Sequence, residues 1–120
     1  EKKTTKEFLE LIQTQNISVD VFVNNAGKSI RRSVYDSIDR FHDFPRTMDL
    51  NYYAPVELIL SLLPKMSKNK GQIINISSIW GKKSKEKRIS YSTSKYALNG
   101  LTVSSSIELA KYNILVNSIN

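Results

Sequence analysis

The 120-residue chain carries 18 basic and 11 acidic side chains, no cysteine, one histidine and 40% apolar residues. That supports one hydrophobic core and excludes a wholly disordered chain, a disulfide framework, a thiolate nucleophile and a histidine-based zinc site. The longest apolar run, near Leu58–Leu63, is far too short to span a bilayer.

The net charge is +7, but Lys82, Lys83, Lys85, Lys87 and Arg88 lie within seven residues, opposed only by Glu86. That stretch carries +4 and leaves +3 for everything else. A chain-wide basic face is therefore poorly supported and no nucleic-acid partner is expected. The cluster reads as a solvated loop in preference to a site for an anionic substrate tail. No repeat, low-complexity tract or linker divides residues 1–120, which read as one domain or a piece of one.

Phe8, Leu9, Leu11 and Ile12 recur with helical spacing after a polar start and predict an amphipathic helix of about three turns. Residues 19–23 (VDVFV) form a short β-branched run bounded by Asn16 and by Asn24, Asn25 and Gly27, and predict a buried strand. Residues 28–44 are polar and irregular. A long helix is predicted over 45–67, with Pro45 tolerable in its first turn. Pro55 sits inside that pattern and should kink or open the helix near Asn51. Residues 72–76 (QIINI) predict a second strand, 90–111 a third helix and 114–118 (ILVNS) a third strand. Strands alternating with helices on short links give an α/β parallel sheet with crossover helices.

Ligands of such sheets sit beyond the carboxyl ends of the strands. Two strands end there in polar residues, the first in Asn24-Asn25-Ala26-Gly27 and the second in Ser77-Ser78. Tyr91 and Lys95 are four apart on a predicted helix and share a face. An ammonium beside a tyrosine hydroxyl favours the phenolate, so the tyrosine can give a proton to a carbonyl oxygen or take one from an alcohol. The pair alone is weak: with six tyrosines, chance supplies about 0.65 such spacings. Ser78, thirteen residues before Tyr91, could hydrogen-bond the same oxygen, or cap a turn. Asn51 lies mid-helix, where asparagine is mildly unfavourable, and an opened helix there could offer polar groups to a water chain. Asn24 and its neighbours can bridge strand ends, and Gly27 lets a ligand approach the backbone.

NNAG after a strand, then Asn51, then INISS with Ser78, then YSTSK, in this order and spacing, resembles the compact single-domain subclass of the short-chain dehydrogenase/reductase family. The resemblance implies a three-layer Rossmann-type parallel sheet and an NAD(P)-dependent oxidoreductase acting on a carbonyl or alcohol. It implies Tyr91 as general acid/base, Lys95 lowering its pKa and holding the nicotinamide ribose, Ser78 orienting the substrate and Asn51 completing a proton relay. Asn24, Ala26 and Gly27 would lie near the adenosine side of NAD or NADP, with Asn24 also tying strands together. Trp80 would border the substrate pocket or, equally, serve as a core or interface tryptophan. His42 has no role in this scheme, and no metal is expected.

The family's glycine-rich opening turn, which binds the pyrophosphate at a helix N-terminus, has no match in Gly27, Gly71, Gly81 or Gly100. The expectation is an internal piece of such an enzyme, holding its fourth to sixth strands, with weak cofactor binding and no useful turnover alone. The stretches GKSIRRSV and DRFHDFPRTMDLNYYAP resemble fatty acyl-CoA reductases, which use NADPH and tilt the cofactor expectation towards NADP. KEKRISYSTSKYALNGLT and ELAKYNILVN resemble 3-oxoacyl-carrier-protein reductases. Arg31, Arg32 and the Lys82–Arg88 cluster are read as solvated loops in preference to contacts for a phosphopantetheine or coenzyme A phosphate. The family's packing implies a homo-oligomer through the two long helices and a cytoplasmic protein. The competing reading is a non-catalytic interaction module, which would have no need of Ser78, Tyr91 and Lys95 together.

Overall fold

The computed structural model describes residues 2–66, 68 and 70–120. Helix α1 (Lys2–Thr14) buries Ile12. It stops where Asn16 takes a left-handed conformation (φ 49°) and the Ile17 N–H bonds back to the Ile12 carbonyl at 3.1 Å. Asparagine tolerates that conformation better than most residues with a Cβ.

Strands β1 (Val21–Asn24), β2 (Gln72–Ile76) and β3 (Leu115–Ile119) form one parallel sheet in that order. β2 has its predicted bounds. β1 begins two residues later than its apolar run because the Val19 N–H binds the Lys65 carbonyl at 2.7 Å and Val19 pairs with Met66 outside the sheet. β3 begins one residue late because the Ile114 N–H bonds to the Leu109 carbonyl of the preceding helix end.

The predicted long helix is one helical path of unequal pitch. Helix α2 (Asp43–Met48) opens into a π-turn over Asp49–Tyr53, closes again as helix α3 (Ala54–Leu62) and tightens to a 3₁₀ turn over Leu63–Lys65. Its predicted end at Ser67 lies outside the described residues. Pro55 has no N–H to give the Asn51 carbonyl four residues back, and the π-turn falls at that point. Residues 28–42 are irregular apart from a 3₁₀ turn over Tyr35–Ser37, where the Ser33 hydroxyl accepts the Asp36 N–H. Helix α4 (Ile89–Leu109) runs on into a 3₁₀ turn, Ala110–Tyr112, ended by left-handed Asn113.

The strand register aligns Phe22, Ile73 and Val116 on one sheet face. Ile59 of α3 and Leu101 and Leu109 of α4 pack there, around a core of Ile73, Ile114, Val116 and Met66. Val21, Val23, Leu115 and Ile119 on the opposite face are exposed. No helix among the described residues is long and apolar enough to cross a membrane.

Candidate active site

The carboxyl ends of β1 and β2 are joined by side chains rather than by further ladder bonds. Asn24 Nδ2 donates to Asn75 Oδ1 at 3.3 Å, and Asn75 Nδ2 donates to Thr102 Oγ1 on α4 at 2.9 Å. All three residues are buried, so each polar group needs its partner. The chain locks the strand tips to α4 at the edge where a ligand would sit.

Asn51, fully buried in the π-turn, clamps the loop after β1 as a peptide unit would. Its Oδ1 accepts the Lys28 N–H at 2.7 Å, and its Nδ2 donates to the Lys28 carbonyl at 2.8 Å and to Ser94 Oγ at 2.9 Å. Ser94 Oγ in turn donates to the Tyr91 carbonyl at 2.7 Å. The asparagine predicted as a relay therefore links the β1 loop to the helix that carries Tyr91.

Tyr91 and Lys95 sit one turn apart on α4 and line a cleft of about 220 Å³ with Asn25, Gly27, Lys28 and Ser77. Lys95 Nζ donates to the Ile76 carbonyl at 2.9 Å and lies 5.8 Å from the centre of the Tyr91 ring. Burial disfavours its ammonium and pushes its pKa below the ordinary lysine value. A side chain on residue 27 would stand 3.5 Å from both Asn51 Oδ1 and Lys95 Nζ, so glycine here keeps the cleft open. Ser77 Oγ is buried and has no hydrogen-bond partner among the described residues.

Ser78 follows Ser77 in the chain and is not among the residues that line the cleft. Its Oγ accepts the Trp80 N–H at 3.2 Å, which caps the 3₁₀ turn Ile79–Gly81 and leaves its own proton to donate. Trp80 does not line this cleft; Lys85 Nζ lies over its ring at 4.9 Å. Ala26 is exposed in the loop after β1. The fold thus brings Tyr91, Lys95 and Gly27 to one cleft, with Asn51 directly behind it and Asn24 in the strand-tip network, while Ser78 caps the turn that follows Ser77. Sequence reasoning marked Ser77 only as a polar residue after the second strand and missed Ser94, whose signal was a serine one turn from Tyr91.

Beyond the cleft, Asp43 at the start of α2 receives Arg32 Nε at 2.9 Å and has Arg40 and His42 beside it. Burial acts to raise its pKa, but the Arg32 hydrogen bond and the charges of Arg40, Arg32 and His42 outweigh burial and hold it below the usual carboxylate value. His42, which had no role from sequence, belongs to this anchor. Among the described residues no cluster suited to a metal ion is present.

Known proteins share this fold. The short chain dehydrogenase family model matches residues 1–120. A fatty acyl-CoA reductase of Acinetobacter baylyi is 52% identical over 102 residues, covering 84% of this chain and 35% of that protein. A 4-hydroxyisoleucine dehydrogenase solved with NADH and succinate superposes with a TM-score of 0.87 at 30% identity, over 100% of this chain and 56% of its own. An angucycline C-6 ketoreductase with bound NADP gives 0.78 at 31% identity, over 84% of this chain and 38% of its own. The chain belongs to the short-chain dehydrogenase family, and its three parallel strands and crossover helices are part of that family's Rossmann fold. It spans about a third of the curated relative and about half or less of the solved structures.

Proposed function

We propose that this chain carries the proton-transfer half of an NAD(P)-dependent oxidoreductase that interconverts a carbonyl and an alcohol. The observation that supports this best is the shared cleft of Tyr91 and Lys95, backed by Asn51 through Ser94. The cleft suits the nicotinamide end of the cofactor. Ser77 presents a buried hydroxyl with no partner among the described residues, Lys95 a buried ammonium, and Gly27 a wall without a side chain.

Lys95 and Ser77 would hold the nicotinamide ribose, and Ser78 would orient the substrate oxygen. The nicotinamide supplies or takes the hydride at the substrate carbon. Tyr91 gives its hydroxyl proton to the carbonyl oxygen in reduction and takes it back in oxidation, while Lys95 stabilises the phenolate left behind. Asn51 holds Lys28 and Ser94 and so fixes the path along which that proton is replaced from solvent. Resemblance on both sides of the site favours an acyl substrate, a fatty acyl thioester or its aldehyde, with NADPH as reductant; the acyl-CoA reductase likeness is the stronger support.

The test is Tyr91→Phe in the full-length product of the gene, with turnover followed through nicotinamide absorbance. The kcat should fall by about 10²–10⁴-fold while nucleotide binding, measured by fluorescence, persists. Undiminished turnover would remove Tyr91 from the mechanism and the reading with it.

We further propose that a second copy packs on α3 and α4. Leu60 on α3 is 63% exposed, and Val103 and Ile107 on α4 are 61% and 72% exposed. Apolar side chains held outward on two helices suit an interface better than water.

A further inference from the structure

Two basic segments that are far apart in sequence meet in the fold. The loop after β1 brings Arg31 and Arg32; the loop before α4 brings Lys85, Lys87 and Arg88. The Arg32 N–H donates to the Lys87 carbonyl at 3.2 Å, Arg32 and Arg88 form a β-bridge, and Arg88 Nη1 donates to Ser29 Oγ at 2.6 Å. Between the loops opens a cleft of about 700 Å³. Arg32, Lys85, Lys87 and Arg88 supply its charge, opposed within the lining by Glu86 alone, while Val34 and Tyr96 supply apolar wall. Asp43 neutralises Arg32, which anchors the loop; among the described residues Lys85, Lys87 and Arg88 line the cleft with no ion pair to a carboxylate, Lys85 Nζ lying over the Trp80 ring and Arg88 bonded to Ser29.

Arg88 joins this cleft to the catalytic one. Its guanidinium lies 5.9 Å from the centre of the Tyr91 ring, and its partner Ser29 lines the cleft that holds Tyr91 and Lys95. Lys87 takes a left-handed conformation (φ 60°), a cost for a side chain with a Cβ, and its carbonyl is the one that receives Arg32. Folding alone gains nothing from gathering like charges around one opening; an anion there reverses the sign of the interaction.

We propose that this cleft is the subsite for the phosphorylated handle of the substrate, a coenzyme A thioester whose pantetheine arm passes Arg88 and brings the thioester carbonyl oxygen to Tyr91. The nicotinamide hydride at the acyl carbon and the Tyr91 proton at the oxygen would give a hemithioacetal, which expels coenzyme A as its thiol and leaves the aldehyde. The inference deepens the acyl-substrate reading above and rests on it. Guanidinium and ammonium groups together suit phosphate oxygens. A wall of Tyr96 and Val34 suits the less polar parts of the handle, and the volume falls in the range of small-molecule sites. The two basic segments, read from sequence as solvated loops, become one site because the β-bridge at Arg32 and Arg88 brings them together.

The test uses the full-length gene product, as wild type and as the Lys85→Ala/Lys87→Ala variant. Coenzyme A alone is titrated into each by calorimetry, and a long-chain acyl-CoA is compared as substrate with the aldehyde of the same chain length. Coenzyme A should bind the variant about tenfold more weakly. The KM for the thioester should rise by a similar factor, and kcat and the aldehyde KM should stay within about twofold. Added salt should weaken coenzyme A binding to the wild type far more than to the variant.

Unchanged coenzyme A binding in the variant, or an equal rise in both KM values, overturns the subsite. A wild type that reduces the aldehyde but binds no coenzyme A also overturns it and leaves the oxidoreductase reading standing. Lysine-dependent coenzyme A binding without turnover of either substrate upholds the subsite and sinks the acyl reading. A thioester on a carrier protein, used in preference to coenzyme A with the same lysine dependence, overturns the choice of free coenzyme A.

Discussion

The two halves of α4 reverse the usual rule in opposite ways. In its first half four of the five buried side chains are polar, Ser90, Ser92, Ser94 and Lys95, with Leu98 the apolar one. In its second half two large apolar side chains, Val103 and Ile107, are exposed beside Ser104 and Glu108. The first half is held by hydrogen bonds to other elements, from Asn51 to Ser94, from Lys95 to the Ile76 carbonyl and from Asn99 to the Gly81 carbonyl. The second half is held mainly by apolar contact, through Leu101 and Leu109 against the sheet, with one buried polar link from Asn75 to Thr102. Burying polar groups is unfavourable unless each finds a partner, whereas apolar packing tolerates imprecision. Polar burial in the first half is the arrangement expected where geometry matters more than stability, and apolar exposure in the second where another surface is to be met.

Removing the charge from the first half should have the largest effect. Lys95→Met keeps the length and apolar stem of the side chain and deletes the ammonium. We expect kcat of the full-length protein to fall by about 10²–10⁴-fold, as for loss of a proton-transfer group, with the fold intact by circular dichroism. A pH readout separates this from a packing effect. The Lys95 pKa lies below its unfolded value of 10.5, so the folded chain loses this proton at lower pH than the unfolded chain does. Between the lowered value and 10.5 the unfolded state holds more protons, and stability rises with pH across that window. Lys95→Met should abolish that rise in urea midpoints measured at increasing alkaline pH. A rise that persists assigns it to another group.

Much of the site was legible in sequence because its signals are local. Tyr91 and Lys95 share a helix face through spacing alone, and Pro55 marked the opening at Asn51, which the fold realises as the π-turn over Asp49–Tyr53. What stayed hidden depends on contacts across the fold. Nothing local to Asn51 says that its amide will bind both backbone groups of Lys28, 23 residues away. Nothing in either basic stretch says that Arg32 will pair with Arg88. Trp80 was placed beside the substrate by its nearness to Ser78 in sequence, yet its recorded ring contact is with Lys85. The strand starts slipped by one or two residues for the same reason: Val19 and Ile114 spend their N–H groups on helix-end carbonyls rather than on the ladder.

Pressing on the first half from outside should have a smaller effect. Gly81 lies against the backbone of α4, and a Cβ there would stand 2.9 Å from the Lys95 carbonyl oxygen and 2.7 Å from Asn99 Nδ2. Asn99 can turn away, but the helix backbone cannot, so Gly81→Ala should shift the turn or the helix. The expected cost is about 1–3 kcal/mol, typical of overpacking, read as a lower urea midpoint. Because the contact is with Lys95 itself, kcat should fall by more than the loss of folded protein explains. A variant with a reduced midpoint and full specific activity would show that the first half tolerates displacement, and the contrast with the second half would fail.

The smallest effect on folding should come from the second half, and there it becomes diagnostic. Ile107→Glu replaces an outward apolar side chain that is 72% exposed in the single chain. Surface changes of this kind alter stability by within about 0.5 kcal/mol, so the monomer should keep its urea midpoint at low protein concentration. If α4 meets a second copy there, a buried carboxylate without a partner would oppose association. Sedimentation velocity on the full-length protein should then show wild type as an oligomer and the variant as a smaller species. The kcat per folded chain should hold, because Ile107 lies three helical turns beyond Lys95. A wild type that sediments as a monomer would leave Val103 and Ile107 as ordinary exposed apolar residues, and would confine the functional demand on α4 to its polar first half.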